Sequence, residues 1–213
     1  MDQDTVTSAE QYWEERYRDE GRVWSGRPNP LLVREAGPLA PGTALDLGCG
    51  EGGDAIWLAS QGWQVTAVDV SDTALRRGAD HARDAGVEAK IRWERHDLSR
   101  SFPEGSFDLV SAQFLHSPVA ADGEREAILR RAAAAVAPGG ILLVVGHAGW
   151  PSWQEEPPFD YRFPTTGDVL DALGLEPGRW HVELEEVVER DFPAPDGRPG
   201  RREDNVLRVR RLA

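Results

Sequence analysis

A doubly wound α/β domain is predicted by three observations. Short apolar strands alternate with helical segments from residue 44 onward. A glycine turn follows the first strand, Leu47-Gly48-Cys49-Gly50-Glu51-Gly52-Gly53. The next strand, Val65-Thr66-Ala67-Val68, ends on an acid, Asp69. A strand, a glycine turn, a helix and a second strand closing on a carboxylate build the nucleotide-binding half of a parallel sheet. Helices on both sides of that sheet bury both of its faces, which suits the near-continuous apolar strands.

The elements follow in order. Residues 1–7 are polar and read as frayed. Ser8 and Gln11 make a capping-box pattern for a helix over 9–20, stopped by Gly21. Tyr12, Trp13, Arg16 and Tyr17 share one side of it, an aromatic face that has to rest on another surface. A turn runs from Arg22 to Pro30, then a short helix covers 31–36. After Pro41-Gly42 the alternation starts: a strand at 44–47, a helix at 54–61 with Gly62 as its C-cap, and a strand at 64–68. Ser71 caps a helix that runs to 85 and ends at Gly86. Strands are read at 91–94 and 107–112. Asp122 is placed as the cap of a helix reaching 136, and Pro138-Gly139-Gly140 as the turn into a strand at 141–145. A loop rich in Pro and Trp, 149–164, leads to a short helix near 168–173. Two strands with no helix between them, 180–188 and 206–210, close the chain and add an antiparallel member to the sheet. The expected division is an N-terminal helical cap over 1–41 and a single α/β domain over 42–213.

Composition narrows the function. The 213 residues suffice for one domain with a full core but not for two of ordinary size. No apolar run approaches the roughly 20 residues of a membrane span, and the N-terminus lacks the basic-then-apolar layout of a signal peptide. A cytoplasmic protein without a membrane partner is expected. The single cysteine excludes an internal disulfide framework and any cysteine-based zinc cluster, and no metal is implied. The net charge of −13 opposes the counterion-releasing contacts on which nucleic acid binding depends. The basic stretches Arg198 to Arg202 and Arg208 to Arg211 read as a solvated loop and the outer face of a strand. A small-molecule substrate is the expected partner, with no nucleic acid.

The glycines alone do not decide the ligand, because Gly48-x-Gly50-x-x-Gly53 also matches the dinucleotide fingerprint. Asp46 does. A carboxylate aimed into the turn repels a pyrophosphate but suits a ligand with an ammonium group, as S-adenosylmethionine (SAM) has. The stretch from Ala44 to Asp54 resembles the first motif of class I SAM-dependent methyltransferases. That resemblance extends over about residues 42–211. It implies a Rossmann-like, seven-stranded sheet of order 3-2-1-4-5-7-6 with the last strand antiparallel. It also implies SAM as cofactor and S-adenosylhomocysteine as product.

The site residues follow from residue type and resemblance together. Gly48, Gly50 and Gly52 form a turn where a ligand approaches without an intervening Cβ, and Cys49 lies inside it as a small residue. Asp46 resembles the family's acid near the methionine moiety. Asp69 suits two hydrogen bonds from ribose hydroxyls, with Val70 against the adenine. Asp97 resembles the contact to the adenine amino group, with Leu98 on the ring. Glu51 and Asp54 read as acids favoured by a helix N-terminus. In Phe107-to-His116, which resembles the fourth-strand motif, Asp108 is structural and Gln113 lies beside the transferring methyl. His116 is the candidate general base, and His147 a second one.

Tyr12-Trp13-Glu14-Glu15-Arg16-Tyr17 and Val23-Trp24-Ser25-Gly26-Arg27-Pro28 resemble the start of the thiopurine, halide and tellurite methyltransferase group. There the tryptophan matching Trp24 lies near cofactor and acceptor, and members methylate soft nucleophiles. The expected activity is therefore methyl transfer to a small acceptor, a thiol or other soft nucleophile. Three alternatives stay open: O- or N-methylation with His116 as base, a nicotinamide-dependent oxidoreductase, and a non-catalytic SAM-binding protein. Trp24 and at least one aromatic from 150–163 are expected to close over the site as a lid.

Overall fold

The structure is a computed structural model and describes residues 8–213, so the expectation for 1–7 lies outside the described residues. Two helices, α1 (Ala9–Asp19) and α2 (Pro30–Ala36), precede the sheet. Then come β1 (Thr43–Leu47), α3 (Gly53–Ser60), β2 (Gln64–Asp69), α4 (Asp72–Asp84) and β3 (Ile91–Arg95). The second half contains β4 (Phe107–Gln113), α5 (Glu124–Ala134), β5 (Val136–His147), α6 (Thr166–Leu173), β6 (Trp180–Asp191) and β7 (Arg201–Arg211).

The seven strands form one sheet in the order β3-β2-β1-β4-β5-β7-β6. The first five run parallel, and β7 pairs antiparallel with both β5 and β6. This is the Rossmann-like class I methyltransferase arrangement. The chain reverses its winding between β1 and β4, where such sheets leave a crevice at the C-terminal ends of the strands.

Two apolar layers hold the sheet. On one face Leu129, Ala132 and Val169 pack on Leu45, Val110 and Leu142. On the other, Leu32, Leu58 and Trp63 pack on Ala44, Val65 and Leu143. Leu58 and Leu129 are wholly buried, and truncating either to Ala costs about 2–5 kcal/mol by analogy with other core leucines.

Local chemistry sets several boundaries. Ser8 accepts from the Gln11 N–H and Ser71 from the Ala74 N–H, so both helices start where a side-chain oxygen meets an orphan donor. Asp122 is not the cap of α5. Gly123, at φ +74°, occupies the N-cap and offers no side-chain acceptor. The turn read at Pro138-Gly139-Gly140 lies inside β5, which begins at Val136 opposite Phe107 and resumes its ladder at Ile141 after an irregularity. α6 starts earlier than read, because Thr165 and Asp168 form a reciprocal capping box. The closing strands are also longer than read. Apolar alternation stops near Val188, but cross-strand charge pairs such as Arg201–Glu189 carry the hairpin onward.

The N-terminal cap is fastened to the sheet by Glu14. Its carboxylate accepts from Ser71 Oγ (2.6 Å), Thr73 Oγ1 (2.7 Å) and the Thr73 N–H (3.1 Å), at the start of α4. Burial works against ionisation of Glu14, but these donors outweigh it, and with Arg18 nearby they hold its pKa down to about 2.

Candidate cofactor and acceptor cavity

A cavity of about 650 Å³ opens at the C-terminal ends of β1, β2, β4 and β5. The glycine turn after β1 forms its floor, the N-terminal cap its roof, and the β6–β7 hairpin its far wall. Its size and position are those of a ligand site in an open α/β sheet.

The floor is shaped by close approach. Gly50 has φ +53°, and a Cβ there would stand 2.8 Å from Tyr17 Oη and 3.1 Å from Trp24 Nε1. No residue but glycine fits without moving the roof. Asp69, at the end of β2, accepts from the Gly50 N–H through Oδ2 (2.9 Å) and from the Ser71 N–H through Oδ1 (3.0 Å). Each of its oxygens keeps acceptor capacity for a further donor. Burial raises the Asp69 pKa, opposed by those backbone donors. Burial, then Asp69 and Asp46, push the Cys49 thiol well up, so it stays protonated.

Most of the residues singled out from sequence meet here. Gly48, Cys49, Gly50, Asp69 and Val70 line the floor, and Asp97 and Leu98 the side beyond β3. Trp24 lies in the roof, and Gln113 and His116 stand past the end of β4. Two do not line the cavity. Gly52, at φ +86°, packs against Trp93 and serves as the N-cap of α3. Asp46 is buried behind the turn, accepts from the Ala55 N–H, and leaves Oδ2 with no hydrogen-bond partner among the described residues. Burial first, then Asp54 and Asp69, raise its pKa well above the carboxylate range. Asp46, expected near the methionine moiety, thus stays beside the turn without lining the cavity. Asp54, in the first turn of α3, does line the cavity at this end, with its pKa pushed up to about 6 by burial. Side chains in a first helical turn lean back toward the N-terminus, and that tilt brings Asp54 over the glycine turn.

The roof is tied down by polar contacts that span long stretches of chain. Buried Glu51 accepts from the Trp24 N–H (3.2 Å) and the Val23 N–H (3.3 Å) and pairs with Arg77. Asp54 accepts from the Asn29 N–H (2.6 Å), and Asn29 Nδ2 donates to Gln113 Oε1 (3.0 Å). Trp24 Nε1 donates to Tyr17 Oη (2.7 Å) and Trp13 Nε1 to Ser117 Oγ (3.1 Å). The Arg16 guanidinium lies over both tryptophan rings. Burial and Asp69 keep the Tyr17 phenol in its neutral form.

The loop at 149–164 contributes no lining residue, contrary to the lid expectation for 150–163. Trp150, Phe159, Tyr161 and Phe163 pack edge-to-face on one another. Trp153 stacks on Phe192, so this loop supports the far wall from behind. The aromatic that reaches the cavity from that side is Phe192, at the hairpin tip.

The far end of the cavity is built on β4, β5 and the hairpin. Phe114 takes φ +51°, rare for a bulky residue, and stacks on His147 with ring centroids 4.3 Å apart. His147 Nδ1 lies 2.9 Å from Asp204 Oδ1. With Nδ1–H donating to that wholly buried carboxylate, Nε2 carries the lone pair. The His147 pKa is lowered by burial, against the opposing pull of Asp204. His116, edge-on to His147, is held down to about 4 by the protein packed around it, then by His147, Arg125 and Arg202. Both imidazoles are neutral near pH 7. Arg125, Arg190 and Arg202 line the same end, and sequence reasoning missed all three. Arg202, read there as part of a solvated loop, is partly buried and donates through Nε to the Gly149 carbonyl.

The observations of this site fit SAM: a turn that a Cβ would fill, a buried carboxylate with acceptor capacity, and tryptophans walling a cavity. Among the described residues, no helix is long and apolar enough to cross a membrane. Residues 44–140 match the methyltransferase domain family. A 27-O-demethylrifamycin SV methyltransferase of Amycolatopsis mediterranei is 33% identical over 140 residues, which are 62% of this chain and 48% of that protein. A ribosomal RNA small subunit methyltransferase C of Chromohalobacter salexigens is 35% identical over 133 residues, 59% of this chain and 38% of that one. The chain thus spans less than half the length of either relative. The solved structure of the N-methyltransferase NodS of Bradyrhizobium japonicum, in complex with S-adenosylhomocysteine, superposes with a TM-score of 0.67 at 16% identity. It is covered completely, by 97% of this chain. The domain match over 44–140 and the structural likeness agree with the class I methyltransferase fold of the sheet and with SAM as the group this site fits.

Proposed function

We propose that this protein transfers a methyl group from SAM to a small-molecule acceptor. The observation that carries the reading is one continuous cavity running from Gly50 and Asp69 to the His116–His147 pair, under a roof tied by polar contacts. The Asp69 carboxylate would hold the ribose, Val70 and Leu98 the adenine, and Asp54 and Gln113 the methionine end. Bound there, SAM supplies an electrophilic methyl on a sulfonium. The protein aligns the acceptor with it and excludes water. Trp13 and Trp24, which carry the Arg16 guanidinium over their rings, would wall the methyl-bearing end. The net charge of −13 supports a small molecule over a nucleic acid.

A thiol or other soft nucleophile is the acceptor favoured by the cap, whose wording around Trp13 and Trp24 resembles the thiopurine, halide and tellurite group. A thiol with pKa near 8.5 needs little activation. The His147–Asp204 contact favours a second reading, O- or N-methylation, in which Asp204 orients the ring and Nε2 takes the proton. His116, edge-on to His147, then lies beside the base.

Melting curves with SAM, S-adenosylhomocysteine, NAD and NADP test the first statement. The adenosyl compounds should raise the melting temperature and the nicotinamide ones should not. Stabilisation by NAD alone would overturn it.

A further inference from the structure

The far wall of the cavity holds more positive charge than the fold uses. Arg125, near the start of α5, donates through Nε to the Leu115 carbonyl (2.9 Å), and its Nη2 lies against Gly146 of β5. Arg202 donates to the Gly149 carbonyl (3.2 Å). Both are partly buried, and neither forms an ion pair among the described residues. Burial lowers the pKa of each and outweighs the opposing pull of Glu126 on Arg125 and of Asp204 on Arg202, neither of which closes to an ion pair with them.

The other charges on this wall are accounted for. Arg190 pairs with Asp204, which also holds His147. Glu124 accepts from the Ala121 N–H. Buried charge without a partner is costly, and a chain with 37 acids has every opportunity to supply one. A guanidinium fork matches a carboxylate or phosphate in bidentate fashion, and Phe192 and Phe114 beside it offer flat apolar surface.

We infer that Arg125 and Arg202, beside the Asp204-paired Arg190, form an anion-binding subsite for the acceptor, which therefore carries a carboxylate or similar small oxyanion. This rests on the methyltransferase reading of the cavity. The nucleophile then lies between the arginines and the glycine turn, next to His116 and His147, and the anion fixes its direction.

The test uses the full chain saturated with S-adenosylhomocysteine. Benzoate, 3-mercaptopropionate and phenyl phosphate are compared with benzamide, 3-mercaptopropionamide and phenol by melting temperature and calorimetric titration. The anions should stabilise the complex and the neutral partners should not, and the effect should shrink as salt rises. Benzoate against phenyl phosphate tells which oxyanion the fork takes. Arg202→Gln and Arg125→Gln should weaken anion binding about tenfold or more, with the Lys variants between. If a Gln variant does not fold, its Lys counterpart carries the comparison. Equal stabilisation by neutral partners, no stabilisation by any anion, or unchanged anion affinity in the variants would each overturn the subsite. Failure of S-adenosylhomocysteine itself to raise the melting temperature sinks the methyltransferase reading instead, and the anion comparison on the protein alone then judges the arginines separately.

Discussion

Replacing Glu14 by Gln removes a negative charge on which three donors from the start of α4 converge. Folding lowers its pKa from 4.5 to about 2. A shift of that size corresponds to about 3 kcal/mol at 1.36 kcal/mol per unit. The side chain keeps some contact with water, and screening reduces the figure to about 1–2 kcal/mol. Because the folded-state pKa is the depressed one, this stability is fully present above pH 4.5 and is lost as pH falls toward 2; about a quarter is gone by pH 4. Urea unfolding of wild type and Glu14→Gln at pH 7 and pH 4 measures it, and the gap between them should narrow at the lower pH. Hydrogen exchange in α1 should rise in the variant even where global stability holds, since the cap is released before the sheet. A variant as stable as wild type at pH 7, with equal protection in α1, would refute the idea that Glu14 holds the roof.

Two further outcomes follow from the site. Gly50→Ala should destabilise by about 1–3 kcal/mol and weaken S-adenosylhomocysteine binding, because its Cβ meets Tyr17 Oη and its φ is +53°; calorimetry showing unchanged affinity would contradict the close-approach argument. With a thiol acceptor, His116→Ala and His147→Ala should both cost little, since a few per cent of thiolate is present at pH 7. With a phenol or amine, loss of the true base should cost about 10²–10⁴-fold. Assays of both variants over matched thiols, phenols and amines decide it, and turnover confined to phenols or amines defeats the thiol reading.

The floor of the cavity was legible because its signals are local. A glycine turn, an acid closing the next strand and a serine cap all lie within a short span of chain, and each has one backbone job. Asp46 and Asp54 show where that legibility stops. Both are acids beside the turn, and only their burial separates the one behind it from the one facing the cavity. The far end was not legible because its parts come from far apart. Arg125 and Arg202 lie on α5 and β7, in segments whose charge pattern reads as solvated surface. Glu14 and Glu51 gave no sign of fastening the roof, since their partners are 57 and 27 residues away in the chain. The aromatic loop at 149–164 misled through composition alone: its rings satisfy one another.

An open sheet leaves the outermost strands with one row of backbone groups unpaired, and here those strands are β3 and β6. Such a row invites the same strand of another molecule. On β6 two valines, Val182 and Val187, are exposed, which makes the invitation stronger. Glu183, Glu185, Glu186 and Glu189 are interspersed among them. Inside one molecule, Glu183 pairs with Arg208 and Arg210, and Glu186 with Arg34. Between two molecules approaching edge to edge, the same glutamates would face their own copies. Charged side chains along this edge and the net charge of −13 work against such pairing, while the arginine partners of Glu183 and Glu186 fasten the edge to the rest of the fold. A variant of β6 made more apolar would lose both functions in one step.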